Sequence, residues 1–218
     1  MCGRYNLELT ERFSKRFQVN EVPSMKSRYN IAPSQQLPVI VKHKVRDLKI
    51  MKWGLVPFWS KDGKQQLINI RADSAISKPM FTRLIKARRC LVPATGFYEW
   101  KRTSDGKIPF LVRLKSQDYF SFAGLYDILK TPEGKEIPAY AIITTEPNDL
   151  MSKIHNRMPV ILKKQDENNW LNPDNAEIDS LKSLLNPFQA ELMEAYPISS
   201  RINNPFNDDK ELLKEETN

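Results

Sequence analysis

Apolar residues in this chain come in runs of four to seven, at residues 37–42, 48–53, 68–71, 90–94, 97–101, 109–114, 119–125 and 139–145. Polar or Gly/Pro-containing segments such as Thr103-Ser104-Asp105-Gly106 separate them. Runs of that length, rich in β-branched and aromatic residues and bounded by turn signals, read as strands. Helical patterning is confined to residues 8–17, 77–89, 148–154, 167–171 and 178–185, and a further strand is expected over 195–199. Many short strands with a few outlying helices predict an α+β fold. The expectation is a single domain with a curved, mostly antiparallel, barrel-like β-sheet and peripheral helices. Residues 28–33 and 53–59 carry too much Pro, Gly and aromatic character for regular elements and read as loops with side chains free for contacts. The folded domain is expected over residues 2–206, with 207–218 an acidic, mobile tail.

With 218 residues the chain is long enough for one sizeable core. Its formal charge is +8 although the last twelve residues are acidic, so the folded part is more basic still. A basic surface attracts polyanions by releasing their condensed counterions, which makes nucleic acid the first partner to consider. No apolar run approaches the roughly twenty residues that span a bilayer, and the first residues lack a secretory pattern. An intracellular protein without a membrane partner is expected: cytoplasmic or nucleoid-associated in a bacterium, nuclear in a eukaryote. Cys2 and Cys90 are the only cysteines, too few for a disulfide framework and without zinc-site spacing. No metal and no cofactor is called for. Cys90 opens an apolar run and reads as a buried core thiol.

Met1-Cys2-Gly3-Arg4 holds the most distinctive chemistry. If the methionine is trimmed, the amine and thiol of Cys2 sit on one residue, both with ordinary pKa values of about 8 to 8.5. An aldehyde meeting that pair condenses with the amine, and the thiol then closes a five-membered thiazolidine. Glu99 interrupts Phe97, Tyr98 and Trp100, an apolar setting that raises a carboxylate pKa into the range of an acid catalyst. His155 sits at an element boundary beside Arg157. Asn69 and Arg71 alternate onto one face of a strand, where amide and guanidinium suit a phosphate and its sugar as well as a surface ion pair. Trp53 and Trp59 either pack against the body or offer stacking surfaces to unpaired bases.

Several of these segments occur together in one known family. The start Cys2-Gly3-Arg4-Tyr5, Tyr29-Asn30-Ile31-Ala32-Pro33, Trp53-Gly54-Leu55-Val56-Pro57 and Asn69-Ile70-Arg71-Ala72 resemble the SRAP family, the SOS-response-associated peptidase or abasic-site-processing proteins. Arg89-Cys90-Leu91-Val92-Pro93, Gly96-Phe97-Tyr98-Glu99-Trp100 and His155-Asn156-Arg157-Met158-Pro159 extend that resemblance in order to about residue 205. It implies a monomer that binds single-stranded DNA, or single-strand/double-strand junctions, at an abasic site and cross-links to it through Cys2. It implies Glu99 and His155 as the catalytic pair, Asn69 and Arg71 as binders of the abasic site and its phosphate, and Arg157 as a DNA contact. Arg4, Asn30, Pro33, Trp53 and Trp59 are further candidate DNA contacts. One departure is Asp73, where the family commonly carries glutamate, a shorter reach for any ion pair made there.

Other chemistries fit parts of the pattern. Cys2-Gly3 also begins N-terminal-nucleophile glutamine amidotransferases, in which the amine is the base for the thiol, although the basic charge and aromatic loops speak against that class. The family's peptidase label suggests autocatalytic removal of Met1 or cleavage of other peptide bonds. A non-covalent single-strand DNA binder is the reading without an enzyme.

Overall fold

The computed structural model describes residues 2–20, 22, 24–57, 65–130 and 136–216. Its strands, in chain order, are β1 (Arg4–Leu7), β2 (Arg28–Ile31), β3 (Gln36–Lys42), β4 (Arg46–Trp53), β5 (Asn69–Arg71), β6 (Arg89–Ala94) and β7 (Gly96–Thr103). There follow β8 (Gly106–Leu114), β9 (Phe120–Lys130), β10 (Glu136–Thr145), β11 (Met158–Pro159), β12 (Ile161–Leu162) and β13 (Met193–Pro197). The α-helices are short: α1 (Arg12–Phe17), α2 (Ala72–Ser77), α3 (Pro79–Ala87), α4 (Glu167–Leu171) and α5 (Ile178–Ser183). None is long and apolar enough to cross a membrane.

Strands β10, β4, β3, β6 and β9 pair in that order, and β9 pairs back onto β10, so five strands close on themselves. Closure leaves no exposed edge in that ring. Strands β5 and β11 add to β10, and β12 to β9; among the described residues only β10–β4 and β10–β5 are parallel. A second, antiparallel sheet runs β13-β8-β7-β1-β2. The α+β fold with a barrel-like, mostly antiparallel sheet and few helices is the one expected.

Aromatic side chains fill the space between the sheets. Tyr5 from β1 meets Trp53 and Phe122 edge-on at 5.1 and 5.9 Å between centroids, and its hydroxyl lies 2.7 Å from that of Tyr140. Edge-to-face pairs of this kind add to the area they bury. Strand β9 passes so close to β6 that a Cβ on Gly124 would lie 2.8 Å from the Cys90 sulfur. Cys90 is fully buried, as its apolar run implies. Helix α1 is held by Phe13 and Phe17, four residues apart and both against Tyr119.

Three expectations are corrected. Residues 28–31 form strand β2, paired to β1 at Tyr5↔Ile31 and Leu7↔Arg28, and are not a loop. The helix read over 77–89 is two helices, because Lys78 precedes Pro79 and is extended (φ −84°, ψ 125°); a residue before proline is pushed out of the helical region. Residues 207–216 are not free of the domain. Asp208 accepts from the backbone N–H groups of Tyr29 and Asn30 and pairs with Arg28, Leu212 is 1% exposed, and Glu215 bridges Ile198. The Asp208 carboxylate thus caps two donors of the edge strand β2.

Arg89, which opens β6, turns its guanidinium back onto the end of α3. It donates to the carbonyls of Ile85 and Lys86 there, and to those of Trp170, Asn172 and Asn175. Carbonyls at a helix C-terminus favour a cation, and burial lowers the Arg89 pKa only to about 10, so it stays charged. Replacing it by methionine leaves those acceptors unmatched, and stability is expected to fall by at least about 1–3 kcal/mol. The check is the urea midpoint, which drops with an unchanged slope; a midpoint within error of the wild type contradicts this role.

Candidate active site

Strand β1 delivers Cys2. It pairs antiparallel with β7 at Arg4↔Tyr98, Tyr5↔Phe97 and Asn6↔Gly96, and continuing that register past Arg4 brings the first residues alongside Glu99. Parallel β5 lies on β10 at Ile142↔Asn69 and Thr144↔Arg71, and β11 pairs on the other side of β10 at Thr145↔Met158 and Thr144↔Pro159. The end of β10 therefore draws Asn69, Arg71, His155 and Arg157 together, while β7 supplies Glu99. Asn69 links the two groups, its Nδ2 donating to the Cys2 carbonyl at 2.9 Å.

The electrostatics follow from burial. Glu99 is 3% exposed, and desolvation lifts its pKa from an ordinary 4.5 to about 7 against the opposing pull of the amino terminus. Burial, followed by the Glu99 charge, also pushes the Cys2 thiol well up, so it is protonated at neutral pH. Burial, then the positive amino terminus, depresses His155. The positive amino terminus lowers the pKa of all three groups. His155 Nδ1 lies 3.1 Å from the Arg157 backbone N–H and 3.3 Å from the Arg157 carbonyl, so it accepts from the first or donates to the second according to its tautomer. A neutral imidazole that accepts at Nδ1 carries its proton on Nε2.

Arg71 is exposed and grips Asp73 through two nitrogens, the closest contact being 2.7 Å. The shorter carboxylate at position 73 thus reaches its partner, and the arginine, acting first by hydrogen bonding, draws the Asp73 pKa down to about 2. Arg157 is mostly covered. Its guanidinium donates to Glu146 at 2.9 Å and to the carbonyl and hydroxyl of Thr144, leaving Nε without a partner among the described residues. Asn69 Oδ1 is likewise a buried acceptor with no donor among them.

Other expected DNA contacts are placed differently. Trp53 is fully buried, its Nε1 donating to the Ile68 carbonyl and its ring parallel to Tyr140 within 8°; it is a core residue, not a stacking surface. Asn30 is fully buried as well. Its Nδ2 donates to the carbonyls of Ile202, Asn204 and Asn207, while its Oδ1 accepts from Arg4 at 2.6 Å, so it pins the C-terminal segment and cannot meet DNA. Arg4, half-buried, spends its guanidinium on Asn30 and on the carbonyls of Ile202 and Asn203. Pro33 is half-buried in the turn after β2. Trp59 lies outside the described residues. Glu146 and Asp208 escaped the sequence reading: nothing local marks an aspartate whose partner, Arg28, lies 180 residues away.

Comparisons with known proteins bear on the family and the fold. A family model described as SOS response associated peptidase (SRAP) matches residues 1–205. Abasic site processing protein YoqW of Bacillus subtilis is 44% identical over 98% of this chain and 99% of its own length. Abasic site processing protein HMCES of Gallus gallus is 32% identical, over 85% of this chain and 65% of its own length. A crystal structure of a protein from Bacteroides thetaiotaomicron superposes with a TM-score of 0.89 at 30% identity, covering 99% of this chain and all of that one.

Proposed function

Since the chain belongs to the SOS response associated peptidase family, we propose that it captures abasic sites in single-stranded DNA and at single-strand/double-strand junctions as a covalent adduct on Cys2, acting as a monomer. The observation that carries this is a buried Cys2 whose carbonyl is fixed by Asn69 and whose thiol feels the charge of a protonatable Glu99 with a pKa of about 7. Named relatives in bacteria and in a bird are abasic site processing proteins, which supports the same lesion here.

Removal of Met1 creates the amine on which the chemistry depends. An abasic deoxyribose is mostly a closed hemiacetal, and opening it requires a proton to reach the ring oxygen while one leaves the C1′ hydroxyl. Glu99, near half-protonation at pH 7, exchanges that proton. The Cys2 amine then adds to the C1′ aldehyde and water leaves, giving an imine. The Cys2 sulfur next bonds to C1′ as the C=N π pair returns to nitrogen; the thiol proton passes through Glu99 to that nitrogen. The product is a thiazolidine, one water lighter than its reactants. Closing the ring removes the imine, the electron sink through which β-elimination would cut the strand. His155 contributes the Nε2 proton to the opened sugar, and the unfilled Asn69 Oδ1 accepts from a sugar hydroxyl. Arg71, the exposed cation of the set, meets the neighbouring phosphate with Arg157 behind it.

The test is denaturing electrophoresis of the Met1-free protein with abasic and intact oligonucleotides, beside Cys2→Ala. A heat- and detergent-resistant shift is expected only with abasic DNA and only with Cys2, the variant losing at least a hundredfold in yield. An equal shift in Cys2→Ala moves the nucleophile elsewhere and defeats the proposal.

A further inference from the structure

The β7–β8 hairpin outruns the sheet that carries it. Strand β1 flanks β7 only as far as Tyr98, and β13 flanks β8 only as far as Phe110. Beyond them the two strands pair with each other alone, through Lys101↔Ile108, Arg102↔Lys107 and Thr103↔Gly106. Residues 101–108 are all exposed. This ribbon starts two residues past Glu99, on the strand that supplies that carboxylate to the candidate active site. The charge of Arg102, after burial and the amino terminus, is among the influences that depress His155, which agrees with that placement.

Its charges are arranged against its own stability. Arg102 and Lys107 stand directly opposite on the ladder, and like charges in that position repel. Lys101 adds a third cation, while the only carboxylate of the ribbon, Asp105, is in the turn. None of these cations is ion-paired among the described residues. Elsewhere the surface arginines of this fold find carboxylates, as Arg71 does with Asp73, Arg113 with Glu194 and Arg201 with Asp209. Two opposed, unneutralised cations on a free two-stranded ribbon are matched by a partner that brings its own negative charge.

We propose that the β7–β8 hairpin is a phosphate clamp, in which Arg102 and Lys107 grip the backbone of the single strand whose lesion lies at Cys2. The inference takes the identity of the polyanion from the proposed function, but it concerns non-covalent binding and is tested without the adduct. The competing explanation is that lysine and arginine guard the open edges of the ribbon against pairing with another chain.

Binding of the protein to an intact fluorescent single-stranded oligonucleotide is measured by anisotropy across a series of salt concentrations. Each phosphate neutralised on a single strand contributes about 0.7 to the slope of log K against log salt. Arg102→Ala/Lys107→Ala is expected to flatten that slope by about 1.4 and to weaken low-salt binding at least tenfold. Lys44→Ala/Lys182→Ala, which removes the same charge from the β3–β4 turn and from α5, keeps the wild-type slope. Lys107→Glu discriminates further: it gives Arg102 a cross-strand partner, so its melting temperature holds or rises while its affinity falls. A double variant with the wild-type slope overturns the clamp, and if that variant also self-associates, the charges are edge guards. A flattened slope in the double variant, together with a wild type that forms no adduct on abasic DNA, keeps the clamp and sinks the lesion chemistry. A wild type that does not bind the oligonucleotide sinks both.

Discussion

Glu99→Gln is expected to slow adduct formation by about a hundredfold to ten-thousandfold, the range that positioned acid–base groups supply, while making the protein more stable at pH 8. The two effects have one origin. Burial raises the Glu99 pKa from 4.5 to about 7, so at pH 8 the native state holds a desolvated carboxylate that the unfolded chain solvates freely. Between pH 4.5 and 7 the native protein binds a proton that the unfolded chain has released, and stability therefore falls as pH rises through that window. Above pH 7 the loss is complete and the curve is flat. Glutamine has no charge to bury, and it recovers up to about 3 kcal/mol at pH 8, the equivalent of a carboxylate raised from 4.5 to about 7. Below pH 4.5 variant and wild type converge. Adduct formation in the wild type should also change across neutral pH, and that step should be missing in the variant. A glutamine variant that is both active and unchanged in stability would remove Glu99 from the mechanism.

Asn30→Ala is expected to cost stability first and DNA capture second. The side chain sits fully buried between β2 and the C-terminal segment, donating to three carbonyls and accepting from Arg4. Its removal leaves buried acceptors unmatched and frees Arg4, two residues from the nucleophile. A loss of about 2–4 kcal/mol is expected, or roughly 5–15 °C in melting temperature for a chain of this length. Adduct formation should slow at saturating DNA, because the strand that presents Cys2 loses its brace, with little change in the DNA concentration needed for half-maximal rate. A residue that touched DNA would do the reverse: the melting temperature would hold and the concentration requirement would rise.

That contrast shows what could be read from the residues in order. Strand runs such as 37–42 and 139–145 were legible because burial of an apolar run is a local property, and Glu99 because its hydrophobic neighbours are adjacent in sequence. The closing of β9 onto β10 was not legible, since pairing order depends on contacts between distant segments. Asn30 misled for a related reason. In a run of Tyr29, Asn30 and Ile31, a polar side chain that donates to the far end of the chain and accepts from Arg4 is indistinguishable from one that faces a ligand. Trp53 was open to both readings, and the Ile68 carbonyl that holds its Nε1 decides for the core. The acidic segment after residue 206 read as solvated because its charge is high, whereas Asp208 is the acceptor that two backbone N–H groups of β2 require.

The central claim is that one residue supplies both atoms of the bond to the lesion. Mass spectrometry of the nuclease- and protease-digested adduct tests it most directly. The account predicts a peptide beginning at Cys2, heavier by the opened sugar remnant less one water, with no free thiol to alkylate and no mass change on borohydride treatment. A remnant found on a lysine, a peptide that still begins at Met1, or an adduct whose thiol alkylates freely and whose imine takes up hydride would contradict it.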